Sequence, residues 1–268
     1  MMNINEINKE IDSLYQSGKI DEAETYMKDQ LTKAKEDGNM EVQMVLTYTL
    51  ADFYRAAGKY DDAVEKYLES ESVMQTLNMS STRDMAAVLF NLANIYRITG
   101  KLDEAYKYFD KTLHVIEICG DDNYFLSYYN NLSALHQSAG KLEESIDCLK
   151  KALYITDQKM NDDLRSAMAR TNLAAALLRL KRADEAREHL ASAISFYESR
   201  PHTDYHYSTA LSAMGDVCMV KGDLEKAAEY FERALPEIEQ HMGQNQFYSI
   251  VSDNLESVYK MMGGRPNK

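Results

Sequence analysis

A side-chain amide carries a donor and an acceptor, so it can pair with a peptide group without reading the side chains beside it. Four asparagines of this 268-residue chain occupy one slot of a recurring pattern: Asn91, Asn131, Asn172 and Asn254. The slot lies nine residues before a turn and is filled elsewhere by Lys9, Thr49 and Ala213. Two chemistries suit such a series. In one, the amides hold the backbone of an extended peptide, where a bond lost from a buried partner costs about 1–3 kcal/mol. In the other, they tie neighbouring helices together. Arg55 and Arg97 stand six residues after two of these slots, and a guanidinium takes a carboxylate in a two-pronged geometry. Asn94 and Asn130 add two more amides nearby in the sequence. Tyr48 and Phe90 read better as core than as an apolar floor.

Other chemistry is sparse. His202 and His206 flank a Thr-Asp-Tyr run at a helix break, without the further ligands a metal needs. The sequence has no glycine-rich phosphate loop, no nucleophile elbow and no carboxylate pair with a defined partner. The reading is a non-enzyme with no catalytic residue, metal or cofactor.

The turns that set the slot belong to one repeated stretch. GKLDEAYKYF starts at Gly100, with counterparts at Gly18, Gly58, Gly140, Lys181 and Gly222 and a last anchor at Gly263. Successive anchors are 40–42 residues apart, a period that signals a repeat architecture. Acidic pairs such as Asp61-Asp62 and Asp103-Glu104 follow the turn, where the positive end of a helix dipole favours them. Five residues after the anchor stands a small residue: Ala23, Ala63, Ala105, Ser145, Ala186 and Ala227. Nine after it stands a large one: Met27, Tyr67, Phe109, Leu149, Leu190 and Phe231. The small side chain lets two helices approach, and the large one fills the space beyond.

Apolar periodicity predicts helix pairs at about 5–17 and 20–36, 41–57 and 60–77, 84–99 and 102–118, 124–139 and 142–158, 163–180 and 183–198, and 205–221 and 224–241. A last helix at about 245–262 closes the array. The units then run 4–38, 41–79, 84–120, 124–160, 163–200 and 205–242, in one solenoid domain over 1–268.

The net charge of −13 opposes binding to nucleic acid or anionic membranes. Three cysteines, Cys119, Cys148 and Cys218, make no disulfide framework. The N-terminus lacks the apolar core of a signal peptide, and no apolar run is long enough to span a membrane. The expected location is the cytoplasm.

These positions together resemble the tetratricopeptide repeat. Before the turn stand Leu50-Ala51-Tyr54, Leu92-Ala93-Tyr96, Leu132-Ser133-His136, Leu173-Ala174-Leu177 and Met214-Gly215-Cys218, and after it come the small, large and small residues that end at Ala152, Ala193 and Ala234. The common unit has 34 residues, and the longer unit here is similar to the kinesin light-chain type. Glu10 in the leucine slot suits a polar first unit. The resemblance implies an all-α, right-handed α-α superhelix of about six hairpins plus a C-terminal capping helix. It also implies a concave groove lined by the first helix of each pair.

Asn91, Asn94, Arg97, Asn130, Asn131, Asn172 and Arg55 are then the expected peptide-binding residues of a non-catalytic adaptor for an extended peptide or partner helix. A full carboxylate clamp is absent. Two alternatives stand beside the adaptor. One is a peptide-sensing regulator of the bacterial quorum-sensing type, whose extra N-terminal domain has no room in this chain. The other is a self-assembling scaffold, a homodimer joined through its terminal helices, with Ile250, Leu255, Val258 and Met262 as the docking face.

Overall fold

The computed structural model describes residues 3–119, 121–200 and 205–265. These form thirteen α-helices and no strand. The pairs are α1 (Ile4–Gln16) with α2 (Ile20–Glu36), α3 (Met40–Ala56) with α4 (Tyr60–Thr76), and α5 (Arg83–Ile98) with α6 (Leu102–Cys119). They continue as α7 (Asp122–Ser138) with α8 (Leu142–Tyr154), α9 (Asp163–Arg179) with α10 (Ala183–Glu198), and α11 (Tyr205–Val220) with α12 (Leu224–Met242). The final helix is α13 (Gln246–Met261). The chain divides into two compact units, Met1–Tyr124 and Phe125–Lys268.

Each turn inside a pair closes in the same way. At Gly100 the backbone is left-handed, with φ +77°, and the Lys101 amide donates to the Tyr96 carbonyl at 2.8 Å. Glycine takes this conformation without a Cβ clash. Lys181 takes it too, with φ +59°, at a steric cost of roughly 1–2 kcal/mol. The second helices α2, α4 and α8 start on a lysine that gives no side-chain cap. Their first-turn acids therefore supply the negative charge that the helix end lacks.

The small and large positions interlock as expected. Ala23, Ala63, Ala105, Ser145, Ala186 and Ala227 are fully buried, as are Met27, Tyr67, Phe109, Leu190 and Phe231. The fit is closest at Gly215, where an added Cβ would lie 2.6 Å from the Phe231 ring. In the fourth pair the two small positions are serines, whose hydroxyls meet at 3.0 Å. In the N-terminal unit α3 and α5 pack on α4 and α6, while in the C-terminal unit one core runs from α8 to α13.

Two features depart from the predicted elements. The α8 helix does not run on to 158 but passes into a π-helix over Ile155–Met160, which ends at left-handed Asn161. In this wider winding the Asp157 carboxylate pairs with Arg170 of α9 at 2.6 Å and also binds Ser166. The apolar stripe expected on the last helix is not a free docking face either. Leu255 and Val258 are buried and Met262 packs on the core, which leaves Ile250 as the exposed member. The physical reason is that α12 covers them. The slot for a small residue, seven before the anchor, holds Glu256 in α13. Glu256 is exposed.

Candidate functional site

The predicted residues lie on the first helices of the pairs. In the N-terminal unit they gather around one carboxylate. Asp52 of α3 accepts bonds from Arg55 Nε and Nη2, both at 3.2 Å, and from the Tyr67 hydroxyl of α4. Asn91 of α5 donates its Nδ2 to the same oxygen over 3.5 Å, a long contact. Arg55 Nε also reaches the Tyr67 hydroxyl at 3.3 Å. Burial, and then the Asp52 charge, push the Tyr48 hydroxyl up to about 12. Burial, and then the hydrogen bond to Asp52 and its charge, raise Tyr67 further.

The hub engages two of the predicted residues. Arg55 is paired within the protein, to Asp52 through Nε and Nη2 and to Tyr67 through Nε. Asn91 ties α5 to α3, which is the second of the two chemistries open to the slot. Tyr48 and Phe90 pack edge-on against Tyr67 and Phe109 with ring centres 5.9 Å apart in each case, in line with core packing.

The tie recurs in the C-terminal unit. Asn254 of α13 donates to Asp216 of α11 at 3.3 Å. Asp52 and Asp216 both stand six residues before their anchors, and Asn91 and Asn254 both stand nine before the next. One rule therefore produces both bonds. An aspartate on one first helix meets an asparagine 38 or 39 residues on, one repeat later. Burial raises the Asp216 carboxyl to about 6, and the Asn254 bond opposes this only in part.

The rule also explains Asn172. The aspartate slot before it is filled by Ala134, so α9 meets no acceptor there. Asn172 is exposed and makes no side-chain bond among the described residues. Asn131 instead turns back on its own helix, donating to the Ser127 carbonyl at 2.9 Å.

The remaining predicted residues hold unused hydrogen-bonding capacity. Asn94 donates to the Phe90 carbonyl at 3.2 Å, yet its Oδ1 is shielded from solvent without a partner. Arg97 Nε, one turn further along α5, is shielded and unpartnered too, as is Asn130 Oδ1 on α7. Asn130 stands in the slot that carries Tyr48 and Phe90, by register opposite Leu149, which offers no donor. Among the described residues, no group of three or more His, Cys, Asp or Glu side chains is placed to hold a metal ion. His202 lies outside the described residues.

The sequence reading missed Tyr67 as part of the site. Its signal was a hydroxyl in a slot that the other repeats fill with Met27, Phe109, Leu149, Leu190 and Phe231. The Asp–Asn spacing is also present in the sequence.

Family models described as tetratricopeptide repeat match residues 8–71, 41–117, 84–155, 124–199 and 210–246. No curated protein sequence matches the chain. Among solved structures it is similar to BtubC from P. vanneervenii at 18% identity and TM-score 0.66, over 98% of this chain and 94% of that one. A Podosopora anserina kinesin-light-chain-type protein of nearly identical TPR-like repeats gives 16% identity and TM-score 0.63, over 74% and 96%. The apo quorum sensor NprR of B. thuringiensis gives 14% identity and TM-score 0.72, over 97% and 72%. NprR in complex with its cognate peptide NprX gives 14% identity and TM-score 0.57, over 100% and 76%. Similarity at these identities concerns the fold.

Proposed function

The chain belongs to the tetratricopeptide repeat family, and from that premise we propose that it is a non-catalytic adaptor whose first helices hold an extended peptide. One observation carries this reading. In the N-terminal unit Asn94 Oδ1 and Arg97 Nε are buried polar atoms without partners, and in the C-terminal unit Asn130 Oδ1 is, by itself, another. Such atoms are rare in native proteins and ask for an explanation. A peptide backbone supplies what they lack, because its N–H groups donate to the amide oxygens and its carbonyls accept from the guanidinium.

The test is capture of peptides from a random-sequence array by the full chain. The Asn94→Ala/Arg97→Ala and Asn130→Leu variants should lose capture while keeping their helical circular dichroism. Asn130→Leu should also melt higher than wild type, since it removes an unsatisfied amide from an apolar setting. Equal capture by wild type and both variants defeats the proposal.

A second reading, a peptide-sensing regulator, draws on NprR, whose fold is similar and which has been solved with its cognate peptide. It predicts that a captured peptide changes the association state of the chain in light scattering, whereas an adaptor stays unchanged.

A further inference from the structure

In the N-terminal unit, α3 and α5 leave a pocket of about 260 Å³ beside the end of α4. Met44, Val45 and Ala87 line it together with Met74, which is itself buried, and Tyr48 and Asp84 add its polar edge. Methionine side chains adapt to irregular partners, and an apolar recess with a few polar groups at its edge is the usual form of a side-chain or ligand pocket.

The charge at that edge is uncompensated. Asp84 is exposed, in the first turn of α5. There it favours the helix dipole with or without a ligand. Arg83, its neighbour in sequence, is engaged with Asp121 at 3.0 Å. Asp84 forms no ion pair among the described residues, and the positive charge of Arg55 is met by Asp52. The chain as a whole carries −13, which draws cationic partners toward it.

We propose that this pocket is the anchor subsite for the bound peptide. It receives one large, flexible or aromatic apolar side chain, and Asp84 pairs with a lysine or arginine next to that residue. The partner is therefore an extended basic segment with an apolar anchor. The inference rests on the peptide-binding reading and adds a sequence preference to it. The amides read the backbone, and the pocket reads the side chain.

The experiment measures fluorescence anisotropy of labelled short-peptide mixtures in which adjacent positions are fixed, titrated with the full chain. Wild type should favour mixtures with Met, Leu or Phe fixed beside Lys or Arg. Ala87→Phe fills the pocket and should weaken those mixtures by about tenfold, while mixtures without a large apolar residue bind as before. Asp84→Lys, at an exposed helix start where the reversed charge opposes the dipole only weakly, should cut the preference for Lys or Arg over Glu by about threefold. It tests the proposal even where Ala87→Phe disturbs folding.

Binding by wild type with no apolar-basic preference overturns the subsite and leaves the adaptor reading standing. So does a preference that Asp84→Lys leaves unchanged. Binding of no mixture at all removes the adaptor reading, and the subsite falls with it.

Discussion

The two units contain the same Asp–Asn bond in different settings. Around Asp52, a guanidinium, a phenol and an amide converge on one carboxylate. Around Asp216, the amide of Asn254 acts without a cation among the described residues. The first setting keeps the charge matched, since Arg55 supplies the opposite sign beside Asp52. The second buries a carboxylate against a neutral donor, and its affinity for the proton rises accordingly. The repeat thus fixes where the bond forms but not what it contributes. That depends on whether neighbouring slots hold a cation. Three residues past Asp52 stands Arg55, and three past Asp216 stands Met219.

The largest expected effect follows from that contrast. Folded Asp216 holds its proton up to about pH 6, while the unfolded chain releases it near 3.8. Between those values the folded state binds more protons, so this group's contribution to stability falls as pH rises from about 4 to about 6 and then levels. Burial of His136 and His189 lowers their basicity and acts in the opposite sense on acidification, so the comparison must be between variant and wild type. A displacement from 3.8 to about 6 corresponds to roughly 3 kcal/mol if fully expressed, and about 2 kcal/mol after solvent screening. Asp216→Asn should therefore gain about 2 kcal/mol over wild type at pH 7 in urea denaturation, and the gain should vanish by about pH 4. A gain that stays constant with pH would show that Asp216 ionises normally.

Asp52→Asn should have the opposite sign. It keeps an acceptor for Asn91 but removes the charge that holds Arg55 and Tyr67, a loss of about 1 kcal/mol. Stabilisation by both substitutions would end the distinction between the units. The donors sharpen it further. Asn254→Ala deprives Asp216 of its amide and should cost about 1 kcal/mol. Asn91→Ala removes a long contact from an oxygen with other donors, and should cost a few tenths by the same measure. Thermal melts of the two variants at one pH make the comparison.

How much of this was legible in the sequence differs by residue. The helix pairs were readable because Gly100 and its counterparts recur with their acids and small residues at fixed offsets. Gly215 against Phe231 shows that these offsets record real contacts. The Asp–Asn tie was only half legible. The spacing from Asp52 to Asn91 and from Asp216 to Asn254 can be read along the chain, but stacking of successive first helices is what makes it a contact. The pairing of Arg55 with Tyr67 was not legible, because Tyr67 arrives from a second helix in a slot that reads as packing. The π-helix at Ile155–Met160 was hidden as well, since the run ITDQKM contains neither proline nor glycine to mark a change of winding.

The smallest predicted effect on stability is at Asn172, and it separates the two chemistries of the asparagine slot. Asn91 and Asn254 have an aspartate one repeat earlier, whereas Asn172 has Ala134. An amide at an exposed helical position without a partner contributes almost nothing to folding, and Asn172→Ala should shift stability by less than about 0.5 kcal/mol. If the slot serves only to tie helices, the same variant should also capture peptides from the array as wild type does. If Asn172 was kept for its amide, capture should fall while the melting temperature holds. Ala134→Asp completes the argument. It supplies the missing acceptor, so it should draw Asn172 into a tie, raise stability in the manner of Asn254 and reduce capture together. A variant that gains the tie and still captures peptide at wild-type strength would remove Asn172 from the binding face.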